Sequence, residues 1–283
     1  MSAAARERVW KRGGSRVRSR SRARQSGRRP RHPPPAGGAK RWALFLDLDG
    51  TLLAIADAPD RVQVNAGLRV LIRVLRRELG GAVALVSGRG VADVERLFPR
   101  LRLSIAGLHG IERRDAHGVL HRRRVPRILP QLRARLVEAA GRHAGLLLED
   151  KEFALALHYR RAPRLAGFAH RLVAALAATT GGKFQLQRGK RVAELRPTGC
   201  DKGTAIAEFM REPPFLGRKP VFVGDDATDE CGFMVVNREY GISVKVGPGR
   251  TCARWRLRDV AAVHAWLGCV LDGIPQPRKR KTR

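Results

Sequence analysis

Two aspartates one residue apart, Asp47 and Asp49, close the apolar run Ala43-Leu44-Phe45-Leu46 and are followed by Gly50 and Thr51. Alternate residues of a strand project to the same side, so both carboxylates can face one site at the strand's carboxyl end. Gly50 lets the chain turn sharply there. Taken alone, the string also reads as a turn with two solvated carboxylates. A calcium-binding EF loop is excluded, because its twelfth position needs a bidentate Glu and Ala58 stands there.

Three further strings carry chemistry. Ser87-Gly88-Arg89 follows the apolar run ending at Val86. A hydroxyl and free backbone N–H groups at a strand-to-helix turn make a seat for phosphate, although Ser-Gly is also an ordinary turn. Lys202 stands in Gly199-Cys200-Asp201-Lys202-Gly203 at the start of a helical pattern, and in isolation reads as a surface lysine. Last comes Gly224-Asp225-Asp226-Ala227-Thr228-Asp229-Glu230, with four acids in six residues after the apolar Val221 to Val223. Carboxylates so gathered repel unless a cation neutralises them, and an oxygen-only donor set suits Mg²⁺.

The elements that must position these strings follow from hydrophobic period. The continuous apolar run at 43–46 predicts a central parallel strand covered on both faces. Leu68, Leu71, Ile72 and Leu75 predict a helix over 65–79; strands are expected at 82–86 and 103–106, with a short helix at 91–98 between them. Helix, strand, strand and helix are expected again at 204–210, 221–223, 242–246 and 260–271. Such alternation predicts an α/β fold, a doubly wound parallel sheet. Residues 122–196 read differently. A helix with Ile128, Leu129, Leu132, Leu136 and Val137, strands at 146–149 and 153–159, a helix with Leu165, Phe168, Leu172, Val173 and Leu176, then strands at 184–187 and 191–195, spell an inserted α+β module. The core is therefore expected in two pieces, 42–121 and 197–272.

The chain has 283 residues with 57 Lys+Arg against 25 Asp+Glu, a net charge of +32 that invites a nucleic-acid reading. The charge is concentrated at the ends. Residues 1–41 hold 14 basic residues and one acid, Glu7, and 278–283 hold five basic residues and no acid. The first segment, rich in Arg, Ser, Gly and Pro, is expected to be a disordered tail, and 273–283 a second basic tail. Nucleic-acid binding, a transit peptide, or translation from an upstream start are readings of the N-terminal tail; a solvated tail without chemical role is the plain one. No stretch approaches 18 apolar residues and no secretory h-region is present, so membrane and export readings are set aside. Cys200, Cys231, Cys252 and Cys269 form no CxxC pair, and a reducing, cytoplasmic setting is expected.

The four strings stand in the order and at the strand ends of haloacid dehalogenase-like phosphatases, which the chain resembles. The segments 106–112 (Ala-Gly-Leu-His-Gly-Ile-Glu) and 155–160 (Leu-Ala-Leu-His-Tyr-Arg), the pair Gly189-Lys190 with Glu194-Leu195-Arg196-Pro197, and the string 224–230 narrow the resemblance to the trehalose-6-phosphate phosphatases, over roughly 42–270. The residues after Glu230, Cys231-Gly232-Phe233, depart from that family's pattern without touching the chemistry.

The resemblance implies a Rossmann-like core with a cap, and Mg²⁺ held by Asp47, the backbone carbonyl of Asp49, and Asp225, with Asp226 or Asp229 supporting. It implies Asp47 as nucleophile forming an aspartyl-phosphate, Asp49 as general acid and then base, and Thr51, Ser87, Gly88 and Lys202 holding the phosphoryl oxygens. Glu149, Lys151 and Glu194 match sugar-contacting positions in the cap. Arg89 and His109 are candidate substrate contacts, His109 being equally readable as a structural hydrogen bond at the hinge; His158 and Arg160 are weaker candidates. The expected partner is a small sugar phosphate bound by a monomer. Two rival readings are a related sugar phosphatase acting on sucrose phosphate, and a nucleic-acid-binding protein working through its basic tails.

Overall fold

The apolar run at the front of the acidic pair is a fully buried strand, β1 (Trp42–Leu46). In the computed structural model, which describes residues 33–55, 63–124, 126–189 and 191–274, β1 lies in the middle of an eight-stranded sheet. It pairs in parallel with β2 (Val83–Val86) on one side and β10 (Lys219–Gly224) on the other. Beyond β2 lie β3 (Ser104–Gly107) and the antiparallel β4 (Glu112–Arg114) and β5 (Leu120–Arg122). Beyond β10 lie β11 (Ile242–Val246) and β12 (Trp255–Leu257), both parallel.

The alternation within β1 divides the core. Leu44 and Leu46 pack with Leu68, Ile72 and Leu75 of α1 (Ala66–Glu78) and with Val263, Leu267 and Val270 of α7 (Val260–Asp272). Ala43 and Phe45 face the other way, onto Ile206 and Phe209 of α5 (Lys202–Phe209) and Phe233 and Val236 of α6 (Glu230–Arg238). Helices on both faces of a mostly parallel sheet make the core doubly wound. Polar caps set the helix starts: Asn65 accepts from Leu68 N at 2.7 Å, and Asp259 from Ala262 N at 2.9 Å.

The inserted module is an antiparallel four-stranded sheet in the order β6-β7-β9-β8, from β6 (Leu147–Asp150), β7 (Leu155–His158), β8 (Phe184–Gly189) and β9 (Val192–Pro197). One face packs against α3 (Leu129–Arg142) and α4 (Ala166–Ala178) through Leu132, Leu136, Leu155, Leu157, Val173 and Leu195. Val137, expected on the buried side of α3, is 55% exposed, since the helix buries only the stripe through Leu129, Leu132 and Leu136. α2 (Val91–Leu97) joins β2 to β3 in the core.

Order begins earlier than the expected boundary at Trp42. Trp266 Nε1 donates to Pro34 O at 3.1 Å, Trp266 stacks on Trp42, and Ala39 is buried, so α7 supplies partners that the composition of this segment does not reveal. At the other end Ile274 is buried in the core, inside the segment expected as a tail from 273. The expected basic tails otherwise lie outside the described residues, at 1–32 and 275–283, as does Lys190. All four cysteines are free thiols, and among the described residues no helix is long and apolar enough to cross a membrane.

Candidate active site

Strand register brings the chemical strings together. Leu46 pairs with Val223 of β10 and with Leu85 of β2, so the residues following all three strands emerge at one edge of the sheet. Strand order reverses at β1, with β2 and β3 added on one side and β10 and β11 on the other, and such a switch point is where open α/β sheets bind ligands. Asp47 continues the pairing, its N–H donating to Val223 O at 2.9 Å, and Ser87 N–H donates to Ala106 O at 2.8 Å.

Asp47 is 3% exposed and held from two sides: Lys202 Nζ donates to Oδ1 at 2.6 Å and Thr51 Oγ1 to Oδ2 at 3.1 Å. Lys202 is the first residue of α5, whose start is fixed by a capping box. Asp201 accepts from Thr204 N at 2.7 Å, and Asp201 N–H donates to Thr204 Oγ1 at 3.0 Å. The same ammonium donates to Oδ1 of the fully buried Asp229 at 2.7 Å, and Asp229 Oδ2 accepts from Asp226 N at 2.8 Å.

Asp47, Asp225 and Asp229 each offer a carboxylate oxygen within 4.8 Å of the others. Octahedral oxygen ligands at about 2.1 Å from Mg²⁺ stand about 3 Å apart when adjacent and about 4.2 Å when opposite, a spacing close to that of these three carboxylates. Electrostatics agrees with that fit. Burial, with Asp229 and Asp225 adding to it against the pull of Lys202, pushes the Asp47 carboxyl up. Burial, then Asp229, does the same to Asp225. Burial alone would lower the Lys202 ammonium, but Asp47 and Asp229 outweigh it and keep it charged. With the Lys245 ammonium also close to Asp225, three carboxylates still outnumber the two ammonium groups and leave room for a further cation. Gly50 is required here: its φ is +81°, and a Cβ would stand 2.1 Å from Asp225 Oδ2.

Asp226 lies outside this cluster. Its exposed carboxylate caps the following turn, accepting from Ala227 N at 2.5 Å. Asp49 is turned toward Arg89, which grips it with Nε to Oδ2 and Nη2 to Oδ1, both at 2.7 Å. Ser87 is buried, and its Oγ accepts from Arg89 N at 3.1 Å.

The cap supplies the roof. Gly88, His109, Lys151, Glu194 and Arg196 line one cleft between core and cap. His109 sits over Gly88, where a Cβ would meet its ring at 2.9 Å. Leu108, His109 and Gly110 are three successive left-handed residues, with φ of 49°, 56° and 97°. For two non-glycine residues this stores on the order of 1–3 kcal/mol each, a cost that structures bear at functional sites. The buried His109 Nδ1 has no hydrogen-bond partner among the described residues. Burial, then the cations Lys202, Arg196 and Lys151, hold the imidazole well below its ordinary range and so neutral.

On the cap sheet Glu149 pairs with Ala156 and Ala156 with Glu194, so the two glutamates share the face opposite the cap's apolar core. Lys151 Nζ reaches Glu194 Oε1 at 3.4 Å, and His158 Nε2 lies 2.8 Å from Glu149 Oε2. The His158 hydrogen bond, against partial burial, holds the Glu149 carboxyl below its ordinary range. Arg160 is exposed beyond the end of β7.

Two residues at the site were given no role from the sequence. Lys245 is buried in β11 and donates to the backbone carbonyls of Asp225 and Val246, steadying the acidic loop. A lysine inside the apolar string Ile-Ser-Val-Lys-Val was its signal. Arg196 is buried in β9 and donates to Gln187 and to the Cys200 carbonyl, tying the cap to the segment that leads into Lys202.

A doubly wound core with an acidic cluster at the ends of β1 and β10, carrying an inserted α+β module, has the haloacid dehalogenase-like fold. The fold overlays on a haloacid dehalogenase-like hydrolase from B. subtilis with TM-score 0.59 at 14% identity, covering 80% of this chain and 99% of that one. It overlays on the C-terminal domain of C. albicans trehalose-6-phosphate phosphatase with TM-score 0.71 at 22% identity, covering 82% and 92%. These two likenesses concern the fold.

Within that class the chain belongs to the trehalose-phosphatase family, whose family model matches residues 45–260. It is 42% identical over 244 residues to trehalose-6-phosphate phosphatase of Escherichia coli (strain K12), covering 84% of this chain and 90% of that one. It is 45% identical over 207 residues to a probable trehalose-phosphate phosphatase of Sinorhizobium fredii, covering 73% and 78%.

Proposed function

We propose that the chain hydrolyses trehalose 6-phosphate to trehalose and phosphate with Mg²⁺ as cofactor, Asp47 being the nucleophile. The observation that carries this reading is the buried Asp47 carboxylate, held by Lys202 and Thr51 beside Asp225 and Asp229; Gly88, in the turn after β2, shares a cleft with Lys151 and Glu194 of the cap. The family, and the relatives named as trehalose-phosphate phosphatases, supply the substrate.

A phosphate dianion approaching a carboxylate to 4 Å meets a repulsion of roughly 4 kcal/mol per pair of unit charges at an effective dielectric of 20. Lys202 offsets part of it from within the protein. Asp47, Asp225 and Asp229, together with the Asp49 backbone carbonyl, would hold Mg²⁺, which when bound would add positive charge beside the phosphoryl oxygens. Thr51, Ser87, the Gly88 backbone and Lys202 hold the phosphoryl group in line with Asp47. One carboxylate oxygen of Asp47 forms a bond to phosphorus as the bond to the sugar oxygen breaks, and Asp49 gives that oxygen its proton. Asp49 then takes a proton from water as the water oxygen attacks the aspartyl-phosphate, returning Asp47 and releasing phosphate.

The disaccharide is read by the cap. Glu149, Lys151 and Glu194 offer acceptors and donors to its hydroxyls, and neutral His109 offers as an acceptor its Nδ1, which has no partner among the described residues. His158 orients Glu149 from behind. Phosphate release from trehalose 6-phosphate, sucrose 6-phosphate and glucose 6-phosphate with Mg²⁺ tests the reading. The highest kcat/KM is expected for trehalose 6-phosphate, and faster turnover of sucrose 6-phosphate overturns the assignment.

A further inference from the structure

Asp49 projects from the turn after β1 with its side chain 35% exposed, whereas the Arg89 side chain that meets it is 16% exposed. A solvated carboxylate on a turn can rotate about two side-chain bonds, and a proton donor that wanders is a poor catalyst. Two parallel N–H···O bonds of 2.7 Å from one planar guanidinium fix both torsions together. The guanidinium is carried on a braced stretch of chain: Arg89 N–H donates to Ser87 Oγ at 3.1 Å and Arg89 O accepts from Leu108 N at 2.9 Å. Forty residues apart in sequence, the two side chains lock the end of β1 to the phosphate turn after β2.

We infer that Arg89 is a positioning residue for Asp49, holding its carboxyl group where the leaving oxygen of the phosphoester is released. The inference rests on the reading of Asp49 as proton donor to that oxygen. When Asp49 carries its proton, one of its oxygens still accepts from the guanidinium while the other delivers the proton. The proton passes to the sugar oxygen as that oxygen leaves phosphorus with the bonding pair. The sequence places Arg89 among substrate contacts; the fork gives it a different task.

A leaving-group series separates these possibilities. A donor matters most when the leaving oxygen is strongly basic, so kcat/KM is measured with Mg²⁺ for aryl phosphates from phenyl to 2,4-dinitrophenyl phosphate. Asp49→Asn is expected to lose on the order of 10²-fold or more with phenyl phosphate, and only a few-fold with dinitrophenyl phosphate. Arg89→Ala shows the same slope with smaller losses, at least about tenfold against a few-fold, and adds nothing further to Asp49→Asn in the double variant. Arg89→Lys keeps the charge and loses the fork, and it resembles Arg89→Ala rather than the unaltered chain.

If Arg89→Ala loses equally across the series, or its loss multiplies with that of Asp49→Asn, Arg89 acts on the phosphate directly and the inference is overturned while the proton-donor reading stands. Full recovery of the slope by Arg89→Lys overturns it in the same way. A flat series for Asp49→Asn itself overturns the donor reading and the inference with it.

Discussion

Lys202 and Asp47, 155 residues apart in sequence, meet at 2.6 Å with neither side chain more than 5% exposed. One ammonium from the first turn of α5 thus holds the carboxylate at the end of β1, and Asp229 after β10 holds the ammonium at 2.7 Å. The contact joins the two halves of a core that the cap interrupts.

Removing that ammonium leaves buried carboxylates without their partner. Lys202→Met is expected to lose at least about 10²-fold in kcat/KM. It is also expected to lower the unfolding free energy by about 3–5 kcal/mol in urea titration at pH 7, the cost of breaking a buried pair from one side. Unchanged stability would show that the pair carries no buried charge.

Gly50→Ala tests the acidic cluster without touching an acid. The new Cβ would stand 2.1 Å from Asp225 Oδ2, on a backbone with φ of +81°, so Asp225 must move. The Mg²⁺ concentration for half-maximal activity is expected to rise by roughly 10- to 100-fold, the range found when the groups around a metal ligand are disturbed. A Mg²⁺ titration of activity reads it.

Glu149→Ala is expected to cost roughly 10- to 100-fold in kcat/KM with trehalose 6-phosphate, the value of a hydrogen bond to a charged group. With p-nitrophenyl phosphate, which has no sugar to recognise, the rate should barely change. An equal loss on both substrates would place Glu149 outside sugar recognition.

The edge hairpin of the core gives a pH-dependent prediction remote from the site. Asp115 accepts from His117 N and Val119 N at 2.9 Å and lies 2.8 Å from His121 Nε2. Burial acts to raise its carboxyl, but the His121 bond and the two backbone N–H groups outweigh it and hold it below the ordinary range. A carboxylate depressed in the folded state stabilises it above the unfolded value, near 4, and loses that contribution as pH falls through the folded value. Asp115→Asn is therefore expected to cost about 1 kcal/mol at pH 7 and progressively less below pH about 4, measured by urea unfolding across pH.

Much of this was legible in sequence because the central strands are unbroken apolar runs and the catalytic strings begin where those runs stop. Val83–Val86 before Ser87 and Val221 to Val223 before Gly224 are examples, and the helical spacing at Leu132 and Leu136 marks the cap in the same way. The hairpin of β4 and β5 was not legible. Its Glu-Arg-Arg and Leu-His-Arg strings hold no apolar run: β5 is the exposed edge strand, and β4 beside it buries the charges of Glu112 and Arg113 in ion pairs with Arg122 and Glu212. Nor was β12, three residues long and bounded by arginines. In the acid string 224–230 the sequence leaves Asp226 and Asp229 as alternatives beside Asp225, and only the backbone turn separates buried Asp229 from the exposed cap Asp226. The Arg89–Asp49 fork joins two loops in space and leaves no trace in residue spacing.

The most direct measurement is phosphate release from trehalose 6-phosphate in Mg²⁺ by the unaltered chain beside Asp47→Asn, with circular dichroism to show that both fold. The account predicts steady turnover by the first and a loss on the order of 10⁴-fold or more by the second. Comparable turnover by folded Asp47→Asn would contradict it.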